Sequence, residues 1–114
     1  MSRSRSAPTA KLSEAAPVFA ALGDPTRLRL VGRLCGAGPL SISSLSEGAG
    51  VTRQAVTKHL QALSDAGLVR DTRRGRERIW ELEPVRLERA RRYLEQISDQ
   101  WDSAIGRLRA YIED

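Results

Sequence analysis

Apolar residues recur along most of this chain at the three- and four-residue spacing of helices, and the pattern breaks at glycine- and proline-containing junctions. Val56, Leu60 and Leu63 fall at i, i+4 and i+7. A helix over 52–66 would therefore turn one stripe toward a core and present Gln54, Lys58 and Gln61 on the opposite face, with Thr57 beside them and Arg53 toward the flank. Thr52 can cap its start by accepting a first-turn backbone N–H, and Gly67 can take the left-handed conformation that ends it. Leu68 and Val69 then precede, and Ile79, Trp80 and Leu82 follow, a polar stretch with Gly75 near its middle, which predicts a β-hairpin.

Upstream, a first helix is expected from about Leu12 to Leu22, apolar through Ala16, Val18, Phe19 and Leu22. Asp24 followed by Pro25 marks the start of a second, with Asp as cap and Pro where its missing N–H costs nothing. That helix continues with Leu28, Leu30, Val31 and Leu34 until GAGPL breaks it, Cys35 being read as a small core residue near its end. Residues 40–42 suit a short strand. Ser44 with Glu47 three residues on forms a capping-box arrangement for a short helix, which would pair with the helix over 52–66 as a helix-turn-helix. After Pro84 an alternating three- and four-residue seam runs through Leu87, Ala90, Leu94, Ile97, Trp101, Ala104, Leu108 and Tyr111, widened by Ile105 and Ile112. This is more apolar surface than one small domain needs. A second copy of the chain is the simplest cover, and packing against the first helix of the same chain is the alternative.

The outward residues of the 52–66 helix are rich in donors and acceptors. Gln can bond bidentately to adenine, Thr can use its hydroxyl or set its methyl against thymine, and Lys or Arg can reach guanine or phosphate. An ordinary solvated face would look similar, so the segment after it matters. Between Arg70 and Arg78 lie five arginines, Arg70, Arg73, Arg74, Arg76 and Arg78, against Asp71 and Glu77. Such a concentration suits phosphate contact, which positions a protein on DNA without reading sequence, although a charged turn can also merely keep an edge strand soluble.

The run VTRQAVTKHLQALSDAGLVRDTRRGRERIWEL resembles the winged helix-turn-helix of ArsR/SmtB-type transcriptional repressors, whose pattern runs through a Leu, Gly, Leu and Val, met here by Leu63, Gly67, Leu68 and Val69, to an R-x-G-R wing, and ALGDPTRLRLVGRL resembles that family's second helix. Together these cover roughly residues 18 to 83. The resemblance implies a homodimer joined through the first and last helices, repression, and an inverted-repeat DNA site. Phe19, Leu94, Ile97, Trp101, Ile105 and Leu108 are the expected dimer contacts. Metal sensing does not follow. The positions matching the family's paired thiolates look like Ser41 and Ser43, residues 85–114 hold no His, and Cys35 and His59 are the chain's single cysteine and histidine, so no metal or other cofactor is expected. His59 is assigned to packing or to a supporting hydrogen bond rather than to a base.

Composition sharpens this picture. The 114 residues carry a formal charge of +5, which favours anionic partners. Residues 53–92 hold eleven Lys/Arg against six Asp/Glu, whereas 93–114 hold two against five, so the positive charge lies where the DNA-facing elements are expected. No 18-residue apolar run suggests a membrane span, MSRSRSAPTAKL is polar where a secretory signal needs an apolar stretch, and one cysteine suits a reducing compartment, so a cytoplasmic protein is expected. No phosphate-cradling glycine loop or catalytic constellation is readable, so an enzyme is not expected.

The expected layout is a disordered basic tail over 1–10 and one mainly α winged-helix domain over 11–114, with helices 11–22 and 85–114 for dimerisation and 24–83 as the DNA-binding core. Arg53, Gln54, Thr57, Lys58 and Gln61 are the candidates on the recognition helix, and Arg73, Arg74 and Arg76 on the wing. A sequence-independent DNA-coating protein and a winged helix used only for protein interaction remain the alternatives.

Overall fold

The structure is a computed structural model that describes the backbone of residues 3–113 and the side chains of 13–113. Its order is α1 (Arg3–Leu22), α2 (Pro25–Ala37), β1 (Leu40–Ser41), α3 (Ile42–Ser46), α4 (Arg53–Asp65), β2 (Val69–Arg74), β3 (Glu77–Leu82) and α5 (Pro84–Glu113). The three strands form an antiparallel sheet in the order β1-β3-β2, with Leu40 opposite Trp80 and Arg74 opposite Glu77. This is a winged helix-turn-helix.

One core joins these elements. Val18 of α1, Leu30 and Leu34 of α2, Leu45 of α3 and Val56, Leu60 and Leu63 of α4 pack with Leu68, Val69 and Trp80 of the hairpin. Deep burial of the three α4 residues confirms the stripe that their spacing predicts. Trp80 is 1% exposed, and its indole N–H has no hydrogen-bond partner, so the ring is held there by packing rather than by its polar atom.

Several local expectations need correction. The α1 backbone is helical from Arg3, not from Leu12, so the tail expected to be disordered over 1–10 is helical from Arg3 onward. Residues 1 and 2 lie outside the described residues. Ala7, Ala10, Lys11 and Leu12 are good helix formers, and each added residue extends a helix already nucleated by the packed turn at Ala15 and Val18. The inward face of α1 carries Ala15, Val18 and Ala21, whereas Ala16 is exposed.

On α2, Leu28 is 55% exposed instead of joining the buried stripe, because it sits roughly a third of a turn round the helix from the centre of Leu30, Val31 and Leu34. Cys35, seven residues on, shares that outward face and is exposed rather than core. Ser44 and Glu47 do not form a capping box. Ser41 caps α3 instead, its hydroxyl accepting from the Ser44 backbone N–H at 3.1 Å, and Glu47 follows the helix end.

The N-terminal half of α5 packs against α1. Ala90 is buried, the Phe19 and Tyr93 rings lie 6.2 Å apart, and Arg89 pairs with Glu14 at 3.4 Å. The intrachain packing considered from the sequence is thus real but partial. Farther along, Leu94, Trp101, Ile105, Leu108, Tyr111 and Ile112 are all exposed, with Trp101 at 64%, while Ile97 is half-buried.

Candidate nucleic-acid interface

The recognition helix is fixed at both ends. Thr52 adopts extended backbone angles and its hydroxyl accepts from the Ala55 N–H at 3.1 Å, while Gly67 takes a positive φ of 79° after the last turn. Between these ends, Gln54 and Lys58 project into solvent with no hydrogen bond or ion pair among the described residues, and Arg53 is exposed at the first turn. Thr57 sits half-buried on the flank, and its hydroxyl donates to the Arg53 carbonyl at 2.9 Å. Gln61, on the same outward face as Gln54 and Lys58, donates from Nε2 to the Asp65 carboxylate at 3.2 Å. That carboxylate places negative charge at the C-terminal end of the face, and the free polar and cationic side chains, Arg53, Gln54 and Lys58, lie on its first two turns.

The wing divides its arginines into two groups. Arg70 pairs with Glu81 at 2.9 Å and Glu83 at 3.1 Å, and its pKa is raised chiefly by the hydrogen bond to Glu81 and further by the charge of Glu83. Arg78 pairs with Asp71 at 2.8 Å and lies 5.0 Å above the Trp80 ring, a cation–π placement. Arg73, Arg74 and Arg76 are exposed and make no ion pair among the described residues. The turn between the strands places Gly75 at a φ of 62° and no other residue at positive φ, the requirement of a tight type II′ hairpin, so Arg76 stands at the tip. Because successive strand residues face opposite sides, Arg73 and Arg74 emerge from the two faces of the ribbon. They can grip two walls of a groove at once.

Two supporting contacts were not legible from the sequence. Arg27 donates from Nε to the Ala21 carbonyl at 2.6 Å, and its Nη1 lies 3.4 Å from His59 Nδ1 on α4. Asp24, the α2 cap, accepts from the Arg27 backbone N–H at 3.0 Å and lies 3.8 Å from the same ring nitrogen. The Arg27 backbone N–H holds the Asp24 carboxyl below its ordinary value against the opposing effect of desolvation, with smaller help from the charges of His59 and Arg27. This junction ties the end of α1 and the start of α2 to the recognition helix, and it gives His59 the supporting role expected of it. Arg33 similarly reaches from α2 to the Leu45 and Glu47 carbonyls at 3.1 and 3.4 Å, clamping the turn between α3 and α4. The cap at Asp24 was readable from its sequence; the long-range partners were not.

Comparison with known proteins fits this geometry. The family described as a helix-turn-helix domain matches residues 22–72. The HTH-type transcriptional regulator Rv2034 of Mycobacterium tuberculosis is 38% identical over 85 residues, 75% of this chain and 76% of that protein. A solved ArsR-like transcriptional regulator is also 38% identical, and the chain covers 92% of it. The chain belongs to the ArsR family of winged helix-turn-helix transcriptional regulators.

Solved ArsR-type structures extend the likeness. An ArsR-like transcriptional regulator from Rhodococcus sp. RHA1 superposes with a TM-score of 0.70 at 38% identity, covering 87% of this chain and 92% of that one. The homodimeric winged helix-turn-helix DNA-binding domain of Mb0332 from Mycobacterium bovis, a possible ArsR-family regulator, gives a TM-score of 0.62 at 26% identity, covering 81% and 83%. This ArsR-family protein is accordingly a DNA-binding transcriptional regulator. Its donor set does not suit the thiophilic ions that some ArsR proteins sense. Ser41, at a position matched to a thiolate, offers a hydroxyl already committed to capping α3, and a neutral hydroxyl is a poor ligand for a soft ion. No helix of the described residues is long and apolar enough to cross a membrane.

Proposed function

We propose that this regulator acts as a homodimeric repressor that occludes a promoter by binding an inverted-repeat operator. Gln54, Thr57 and Lys58 reach base edges or adjacent phosphates from α4, Arg53 supports them at the helix start, and Gln61 has the lesser role because its amide is tied to Asp65. Arg73, Arg74 and Arg76 hold the backbone from the wing. The dimer forms through Phe19 of α1 and Leu94, Ile97, Trp101, Ile105 and Leu108 of α5, and its two-fold axis sets two recognition helices about one DNA turn apart.

The single observation carrying this proposal is the division among exposed cations and polar groups. Arg70 and Arg78 are neutralised within the wing, while Gln54, Lys58, Arg73, Arg74 and Arg76 have no intramolecular partner among the described residues. The bare apolar seam on α5, together with the homodimeric state of the Mb0332 domain, supports the pairing of two copies. Selection of binding sites from random DNA at two salt concentrations, with sedimentation of the free protein, tests the whole proposal. A palindromic consensus and a dimer are expected. Salt-sensitive binding without a consensus would instead make this a DNA-coating protein, and no binding at low salt would make it a protein-interaction module.

A further inference from the structure

Thr57 differs from its neighbours on α4 in how its polar atom is spent. Gln54 and Lys58 have free polar heads, whereas the Thr57 hydroxyl hydrogen is committed to the Arg53 carbonyl one turn back, at 2.9 Å. A threonine can address a base in three ways: by donating its hydroxyl hydrogen, by accepting at its oxygen, or by setting its methyl against the methyl of thymine. Donation to the N7 or O6 acceptors of guanine would first require breaking the bond to Arg53. Of the two branches on Cβ, the methyl is the one without an intramolecular polar partner. Thr57 lies on the second turn of the helix, half-buried on the flank of the face that carries Gln54, Lys58 and Gln61.

We infer that Thr57 is a specificity-determining residue that selects thymine at one position of each operator half-site through contact between its methyl group and the thymine 5-methyl. The bond to Arg53 narrows the choice: it commits the hydroxyl hydrogen to the helix backbone, which closes donation to a base and leaves the methyl as the branch assigned to the contact. This inference rests on the proposed insertion of α4 into the major groove. It adds a chemical identity to one base that the comparisons with relatives do not supply.

The test begins with the full-length protein and a consensus selected from random DNA. Each thymine of that consensus is then replaced in turn by deoxyuridine, which lacks only the methyl and leaves the protein untouched. One replacement per half-site is expected to weaken wild-type binding about four-fold, from about 0.8 kcal/mol for a methylene-sized apolar group and roughly 1.4 kcal/mol per tenfold in affinity. Thr57→Val keeps a methyl but has no hydroxyl, and should retain both the consensus and the deoxyuridine penalty. Thr57→Ser keeps the hydroxyl but has no methyl, and should bind the thymine and deoxyuridine duplexes equally.

Wild-type protein indifferent to every deoxyuridine replacement would overturn the inference while leaving the DNA-binding proposal intact. So would a Thr57→Val protein, folded by circular dichroism, that loses preference at one position, since the oxygen would then be accepting from an adenine or cytosine amino group. A selection that returns no consensus would remove the proposed function itself and the inference with it.

Discussion

The sharpest quantitative consequence concerns the wing, where chemically identical side chains are expected to behave differently. Arg73, Arg74 and Arg76 have no ion-pair partner among the described residues, while Arg70 is matched by Glu81 and Glu83. A guanidinium that neutralises a DNA phosphate releases condensed counterions, and each such contact contributes about 0.9 to the slope of log K against log salt concentration. In a dimer every substitution counts twice, so Arg74→Ala should flatten that slope by about 1.8, and replacing all three free arginines by about 5. Over a change from about 50 to 200 mM salt, a slope smaller by about 5 corresponds to roughly three decades less loss of affinity. The paired control is Arg70→Gln with Glu81→Gln, which removes both members of an exposed pair and leaves the net charge unaltered. Its slope should match the wild type. Fluorescence anisotropy on the selected operator and on a scrambled duplex provides the measurement, and Arg74→Ala should shift both duplexes alike because phosphates carry no sequence. Equal slope changes for Arg74→Ala and for the paired control would refute the division of the wing into free and internally satisfied arginines.

Three further outcomes follow from the same geometry. Gln54→Ala should cost about 1 to 3 kcal/mol on the selected operator and almost nothing on scrambled DNA, read by competition binding, since a bidentate base contact is lost without a phosphate contact. Trp101 is 64% exposed within the protomer, so Trp101→Ala should leave the circular dichroism spectrum unchanged while weakening self-association by more than about 2 kcal/mol in sedimentation equilibrium. Asp24 titrates below its ordinary value of 3.8 because its carboxylate accepts the Arg27 backbone N–H. A depressed folded-state pKa means that this stabilisation is present above the unfolded value and is lost as pH falls through the folded one. Denaturant midpoints measured from pH 7 downward should therefore fall more steeply below pH 4 for the wild type than for Asp24→Ser, whose cap does not titrate; parallel curves would show that the carboxylate contributes nothing specific.

The parts of this fold that were legible in advance are those governed by short-range rules. The period of Val56, Leu60 and Leu63 identifies the recognition helix, Thr52 and Gly67 bound it, and Gly75 between apolar runs identifies the wing, because each depends on residues within a few positions of one another. Periodicity also assigned Leu28 and Cys35 to the interior, and failed there because α2 presents only a narrow stripe, Leu30, Val31 and Leu34, to the core. At α3 two hydroxyls within hydrogen-bonding range of a helix start, Ser41 and Ser44, competed for one capping role. The strand pairing of Leu40 with Trp80 settled it by fixing Ser41 in extended backbone just before the helix. The site residues followed the same division. Exposure of Gln54 and Lys58 is a property of helical phase, whereas the pairing of Arg70 and Arg78 depends on hairpin register, and Gln61's link to Asp65 on an i, i+4 contact that charge counting overlooks.

The long-range bonds of Arg27 and Arg33 were beyond reach of any local rule, yet they determine what the legible parts can do. A dimer built on α1 and α5 places recognition helices at operator spacing only if α4 keeps a fixed angle to α1, and the apolar stripe of α4 by itself allows sliding and rotation. Arg27 restricts that freedom, because one side chain is bonded to the last turn of α1 through the Ala21 carbonyl and meets α4 at His59. Arg33 does the same for the turn that sets α3 against α4. The Arg33 clamp ends on backbone carbonyls, whereas the Arg27 clamp is anchored on the Ala21 carbonyl at α1 and reaches α4 through the His59 side chain. In a dimer of the proposed kind, Arg27→Ala and Arg33→Ala should therefore alter the preferred spacing between operator half-sites, read by binding to duplexes of stepped spacing, before they alter contact with any single base; unchanged spacing preference would refute this role.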